Sequence, residues 1–191
     1  MADDRTYWIM ERAQIAALAS PRRLDIIDAL AAAGPLSVRA LALQIGARPS
    51  ALYHHLAMLI EVGLVAEAGA RTVNRKRETL YATPAPRMRL IRALAEGRHR
   101  EEMDEIVAAL TRQMERDFRA AGTVPGRSAE GEGRNYGFFR LLGRPDPEGL
   151  ATINARLQEI AEILWTSDDQ MAEPVCLAWV MTPLGRADPS G

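Results

Sequence analysis

Apolar side chains return every three or four residues along the first sixty positions, and serine, glycine or proline stands at each break in the rhythm. Tyr7, Trp8, Ile15 and Leu18 predict a short helix over Tyr7–Leu18. Ser20-Pro21 opens the next, with a capping serine and a proline whose fixed φ suits the first helical turn. Its stripe of Leu24, Ile27, Leu30 and Ala31 runs to Gly34-Pro35, where a left-handed cap residue and a helix breaker stop it. Ser37 caps a shorter helix carrying Val38, Leu41, Ala42 and Ile45, which Gly46 ends. Arg48-Pro49-Ser50 begins a further helix to Glu61 or Val62, apolar at Leu52, Leu56, Leu59 and Ile60 and closed by Gly63.

After Gly63 the period changes. Leu64–Glu67 and Glu78–Ala82 have strand composition and flank Gly69–Arg77, which predicts a hairpin with a long loop. That loop carries four cations, Arg71, Arg75, Lys76 and Arg77. Pro84 and Pro86 disfavour helix before them and close a first domain near residue 85. From Pro86 to about Ala120, the spacing of Met88, Ile91, Leu94, Met103, Ile106, Leu110 and Met114 predicts one helix about 50 Å long, or two joined near Gly97. Gly122, Pro125, Gly126, Ser128, Gly131 and Gly133 mark 121–134 as a mobile linker or loop.

Beyond it, Tyr136–Leu142 reads as a strand. Asp146-Pro147 caps a helix with Leu150, Ile153, Leu157, Ile160, Ile163 and Leu164, and Pro174–Met181 reads as a strand apolar on both faces. The expected fold is mainly α with a small β component. It comprises a winged helix-turn-helix domain over 1–85 with an N-terminal dimerisation helix, a long dimerisation helix over 86–120, the linker, a small C-terminal α/β unit over 135–184 and a frayed tail over 185–191.

The 191 residues are 48% hydrophobic, ordinary for a chain with a real core, and their net charge of -1 conceals an asymmetry. Residues 1–100 hold 15 Lys+Arg against 9 Asp+Glu, whereas residues 101–191 hold 9 against 16, so the two halves are expected to face different partners. Met1-Ala2-Asp3-Asp4 lacks the bases of a secretory signal, and no apolar run approaches the roughly 18 residues of a membrane span. A cytoplasmic protein with no membrane partner is the expectation. The single cysteine, Cys176, allows no internal disulfide, and its apolar strand predicts a buried, inert thiol.

Helix, short helix, turn, third helix and basic hairpin is the order of a winged helix-turn-helix, whose third helix enters the major groove of DNA while the wing meets the backbone. With Leu52, Leu56 and Leu59 turned inward, Ser50, Ala51, His54, Ala57 and Met58 face outward and Tyr53 and His55 flank them. Arg48, Ser50, Ala51, Tyr53, His54 and His55 are therefore candidate DNA contacts. Ser50 and His54 are placed to read bases, while His55 reads a base, packs or meets a phosphate. Arg71, Asn74, Arg75, Lys76 and Arg77 are candidate backbone contacts, and Arg22 and Arg23 divide between phosphate contact and plain helix surface.

Ser20-Pro21-Arg22-Arg23-Leu24-Asp25-Ile26-Ile27, together with Ser50-Ala51-Leu52-Tyr53-His54-His55-Leu56-Ala57-Met58-Leu59 and the Gly63-Leu64-Val65 that runs into the wing, resembles the DNA-binding domain of ArsR-type repressors over residues 10–90. The resemblance implies a homodimer whose affinity for double-stranded DNA changes on binding a ligand, hence a repressor on an inverted-repeat operator released by an effector. Metal-sensing members of that family use paired cysteines near the recognition helix or His/Asp/Glu sets on the dimer helices. Here no cysteine precedes Cys176, and His99 with Glu102 offers ligand spacing without the remaining ligands, so no metal or other cofactor is expected.

No glycine-rich phosphate loop, nucleophile elbow or paired-histidine zinc helix is present, and no enzymatic activity is expected. Trp8, Met103, Ile106, Leu110 and Met114 are the expected dimerisation residues. Phe138, Phe139, Trp165 and Trp179 either line a pocket for a small organic effector or complete a structural core. The competing reading is a winged-helix protein-interaction module without sequence-specific DNA binding, which has no need of four cations in its wing.

Overall fold

The computed structural model describes residues 5–97, 99–167, 169 and 172–184. In chain order the elements are β1 (Thr6–Trp8), α1 (Arg12–Leu18), α2 (Pro21–Ala33), β2 (Leu36–Ser37), α3 (Val38–Gln44), α4 (Pro49–Glu61), β3 (Ala66–Val73), β4 (Lys76–Ala82), β5 (Arg87–Arg89), α5 (Ile91–Ala95), α6 (Arg100–Ala121) and α7 (Pro147–Thr166).

Helices α2, α3 and α4 stand where the apolar spacing predicts them, but they begin by two different means. Ser37 accepts a hydrogen bond from the Ala40 N–H at 3.3 Å and so caps α3 with its side chain. Ser20 and Arg48 hold the cap positions of α2 and α4 in extended backbone with no side-chain cap bond, and Pro21 and Pro49 preset the first turn. The helices enclose one core: Ile15 and Leu18 of α1, Ile26 and Leu30 of α2, Leu41 of α3 and Leu52 and Leu59 of α4 are all at most 2% exposed. Each such side chain contributes about 1.5–3 kcal/mol by leaving water. Leu64 and Val65, equally buried, pin the root of the wing to this core.

The wing is a three-stranded antiparallel sheet in the order β2-β4-β3. Between the pairs Glu67–Tyr81 and Ala70–Thr79, β3 carries one residue more than β4, a bulge at which Gly69 takes φ 104. The loop expected over Gly69–Arg77 is therefore mostly strand. Its turn is Asn74-Arg75 alone, with φ of 48 and 63, the paired positive values of a type I′ hairpin turn. Strand β3 is exposed on both faces, so it lacks the alternation by which a strand is recognised.

Two expected helices are shorter than their apolar spacing implied. Tyr7 and Trp8 lie in β1, which pairs in parallel with β5 through Thr6–Arg87, Tyr7–Met88 and Trp8–Arg89, and α1 starts only at Arg12. The helix expected from Pro86 begins instead as β5 and continues as α5. It then breaks where Gly97 (φ 65) and His99 (φ 60) take left-handed backbone, and resumes as α6. Pairing over three residues satisfies backbone groups that a frayed helix end leaves open, and it imposes no period on the side chains. Helix α6 lies along α1 and α2. Met103, Ile106 and Ala109 are buried there, Glu102 pairs with Arg12, and Gln113 and Arg116 donate to Asp25 at 2.7 and 2.8 Å.

No helix or strand forms between Ala121 and Pro147. Helix α7 then forms as predicted, with the Asp146 carboxylate accepting from the Gly149 N–H at 2.7 Å. The strands expected over Tyr136–Leu142 and Pro174–Met181 are absent, so the C-terminal unit is a helix flanked by irregular chain and not an α/β unit. Among the described residues, no strand of the chain pairs with either segment. Cys176, expected to be buried in a strand, is consequently exposed. Helix α7 is held to β5 by Arg87, which donates to Glu162 at 2.7 and 3.3 Å, and by Arg89, which donates to Gln158 at 3.1 Å. The tail expected over 185–191 lies outside the described residues.

Candidate nucleic-acid interface

Leu52, Leu56 and Leu59 anchor α4 in the core, which turns Ser50, Ala51, His54 and Ala57 to the surface beside Tyr53, 59% exposed. The turn before α4 is locked from within: the Ala47 N–H donates to the Ala42 carbonyl at 2.8 Å, and Arg22 donates to Asp25 at 3.3 Å and to the Ile45 carbonyl at 3.4 Å. Arg23 donates to the Ala17 carbonyl and lies 3.5 Å from the Met58 sulfur. Both arginines thus serve the fold, and Met58 is half-buried under one of them.

The two histidines diverge. His54 is exposed, whereas His55 is half-buried with a buried Nδ1 that has no partner. Burial first, then the nearby Arg23, His54 and Arg22, push the His55 pKa below its ordinary value. Its imidazole is therefore neutral and packed, while His54 stands free to reach a groove.

In the wing, Arg71 donates to Glu78 and to the Ser37 hydroxyl, each at 3.2 Å. Hydrogen bonds from Ser37 and then from Arg71 hold the Glu78 carboxyl below the usual range. Cross-strand pairing sets Arg71 on the face of Glu78 and sets Arg77, opposite Thr72, on the other. Arg71 is thus tied into the fold, and Asn74, Arg75, Lys76 and Arg77 are the exposed residues of the tip.

A cleft of about 290 Å³ opens between the starts of α3 and α4 and strand β4, lined by Ser37, Val38, Arg39, Pro49, Tyr53, Arg77, Glu78, Thr79 and Tyr81. Arg39 is the exposed cation of this cleft that sequence reading passed over. Its signal was available: with Val38, Leu41 and Ala42 inward, position 39 on α3 must face out. Arg48, exposed at the cap of α4, completes a rim of cations around the polar start of that helix.

The other expected site residues are spread over several places. Met103 and Ile106 are buried within the chain's own core, Leu110 is half-buried and Met114 is 40% exposed. Trp8 is covered by the Arg92 guanidinium at 3.8 Å from its ring centre. Phe138 meets Phe118 edge-on, Phe139 stacks on Arg134, and Trp165 lies under Arg87 and Arg89. Of the four expected pocket aromatics, Trp165 lines a cavity of about 220 Å³ with Ile27, Asp28, Ala31, Ala32, Pro86, Met88, Leu164 and Ser167, while Trp179 is 43% exposed.

Among the described residues, no group of three or more His, Cys, Asp or Glu is placed to hold a metal ion, and Glu102 is occupied by Arg12. No described helix is long and apolar enough to cross a membrane. No curated protein matches the chain. Residues 18–68, from the end of α1 through α4 into β3, match the family model of a helix-turn-helix domain, and with the sheet that follows α4 this part of the chain is a winged helix-turn-helix DNA-binding domain.

Proposed function

We propose that the protein is a transcription regulator of the ArsR type that binds double-stranded DNA as a homodimer and acts as a repressor released by a small organic effector. One observation carries the DNA reading: the start of α4, with Ser50, Ala51 and His54 uncovered and Arg48 at its cap, borders through Pro49 and Tyr53 a cleft that Arg39 of α3 and Arg77 of the wing also line. Ser50 and His54 then meet base edges, Tyr53 borders the groove, and Arg39, Arg48, Arg75, Lys76 and Arg77 hold phosphates with Asn74 at the turn. Two-fold symmetry calls for half-sites about 34–36 Å apart or a multiple of that.

Titrating duplexes at several salt concentrations tests this. His54→Ala should change site preference, whereas Arg75→Ala with Lys76→Ala should weaken every duplex alike and shallow the salt slope by about 1 per lost contact. Absence of duplex binding would leave the protein-interaction reading in its place.

Support for effector release is narrower than the four aromatics suggested. The cavity at Trp165 is walled by α2, a helix of the DNA-binding core, and by α7, so a ligand there touches both. Coupling to DNA should be about 1–3 kcal/mol and reciprocal. A fluorescence screen read at Trp165, repeated with operator present, measures it.

A further inference from the structure

We infer that the apolar face of α7 is a dimer seam, covered by α7 of a second copy of this chain running antiparallel to it. The first ground is area. A compact monomer of 21.0 kDa exposes about 9,000 Å², whereas this chain exposes 14350 Å². Granting the residues outside the description their full extended-chain exposure removes roughly 2,400 Å² and still leaves an excess of about 3,000 Å². A large obligate dimer hides an area of that order, some 1,000–2,500 Å² per partner.

The second ground is where the excess is apolar. Leu150, Ile153, Ile160 and Leu164 of α7 are 37–42% exposed, and Ala161 is the buried residue of this helix. The segments before and after it expose Phe138, Leu141, Leu177 and Val180 as well. A row of exposed apolar side chains along one helix marks a surface that another molecule covers.

The third ground identifies the occupant. Leu150, Ile153, Leu157, Ile160 and Leu164 are spaced three, four, three and four apart, the repeat of a coiled-coil seam. They fall within an arc of about 80° on the helix, beside the edge where Gln158, Glu162 and Trp165 grip β5, and Leu164 also lines the cavity at Trp165. The stripe is nearly symmetric about Leu157, so an antiparallel copy meets equivalent residues, as a two-fold interface requires. A membrane surface fits poorly, because α7 carries Glu148, Glu159 and Glu162 against the single cation Arg156. The stripe on α6 is the weaker candidate, since Met103 and Ile106 are already covered within the chain. The inference takes from the DNA-binding reading only the expectation of two copies per operator, and the area and the seam stand without it.

The test is the mass of the full chain in solution without DNA, by sedimentation at micromolar concentration. The wild type should have twice the 21.0 kDa of one chain. Ile153→Asp with Ile160→Asp should halve that mass, and Leu110→Asp with Met114→Asp on α6 should leave it unchanged. To guard against misfolding, Leu157→Cys in a Cys176→Ser background should cross-link to its own copy on mild oxidation, whereas Thr152→Cys, on another face of α7, should not. A monomeric wild type, a dimer that survives the α7 changes, a dimer broken only by the α6 changes, or a dimer in which the Leu157→Cys variant fails to cross-link would each overturn the proposal. Loss of DNA binding by a protein that dimerises in this way would count against the DNA reading alone.

Discussion

Glu78 stands between two arginines with different duties. It holds Arg71 at 3.2 Å with help from Ser37, and it borders the cleft that Arg39 and Arg77 also line. A carboxylate at that rim opposes phosphate, so Glu78→Gln should tighten binding to all duplexes alike and steepen the salt slope by about 1, as one repulsion is lifted. The exposed pair itself is worth roughly 0–1 kcal/mol, and the fold should tolerate the change. An unchanged affinity and slope in a titration would mean that the DNA backbone does not pass this cleft. His55 makes a separate prediction at the same scale. Its folded pKa is depressed, so below the unfolded value of about 6.5 the unfolded chain takes a proton that the folded chain refuses. Its contribution is therefore complete above that pH and is lost as pH falls toward the folded pKa. Urea midpoints measured from pH 7.5 down to about 5.5 should fall more steeply for the wild type than for His55→Gln. Parallel profiles would show that His55 is not desolvated.

At the scale of elements, the wing separates stability from function in one residue. Arg75 occupies left-handed backbone at the second central position of a turn that prefers glycine there. Arg75→Gly should stabilise the hairpin by about 0.5–1 kcal/mol while removing a tip cation. Thermal unfolding should shift upward and duplex affinity downward; a shift of both in the same direction would show that the side chain packs. Legibility in sequence divides along similar lines. Caps, prolines and the Leu52, Leu56, Leu59 spacing define α2, α3 and α4 because their signals are local and their apolar faces are covered by near neighbours. Strand β1 is three residues long, and its partner lies some eighty residues away, so no periodicity could announce it. The apolar runs at Tyr136–Leu142 and Pro174–Met181 read as buried strands, but among the described residues neither forms a strand and most of their apolar side chains are exposed. The wing loop reads too long in sequence because Ala66–Val73 alternates in neither hydrophobicity nor burial. In the candidate interface, His54 and the tip cations could be placed by helix geometry and charge. Arg71 could not, because its pairing with Glu78 follows from the two-residue turn at Asn74-Arg75, where the sequence reads as a long loop.

For the whole molecule, the basic half and the acidic half meet at β5. Arg87 and Arg89 belong to the strand that closes the DNA-binding part, and they grip Glu162, Gln158 and Trp165 of α7. If α7 is the dimer seam, this joint fixes how far apart the two α4 helices are held, and with them the spacing of the half-sites. The alternative route from the DNA-binding part to α7 is the chain from Ala121 to Pro147, which contains no helix or strand and transmits little orientation. Arg87→Met keeps an apolar stem against Trp165 but removes both bonds to Glu162. Such a variant should still dimerise, because the seam is untouched. Its second DNA-binding domain is then no longer delivered at the correct distance, and the effective concentration that links the two half-sites falls. Affinity for a two-half-site operator should drop about tenfold or more toward that of a single half-site. The preference for one spacing should flatten, so that inserting half a turn of DNA costs the variant less than it costs the wild type. Binding to an isolated half-site, which engages only one wing and one α4, should stay the same. If operator affinity and spacing preference survive in a variant that remains dimeric, the joint at β5 does not set the geometry, and α6 or the α5–α6 break must carry it instead.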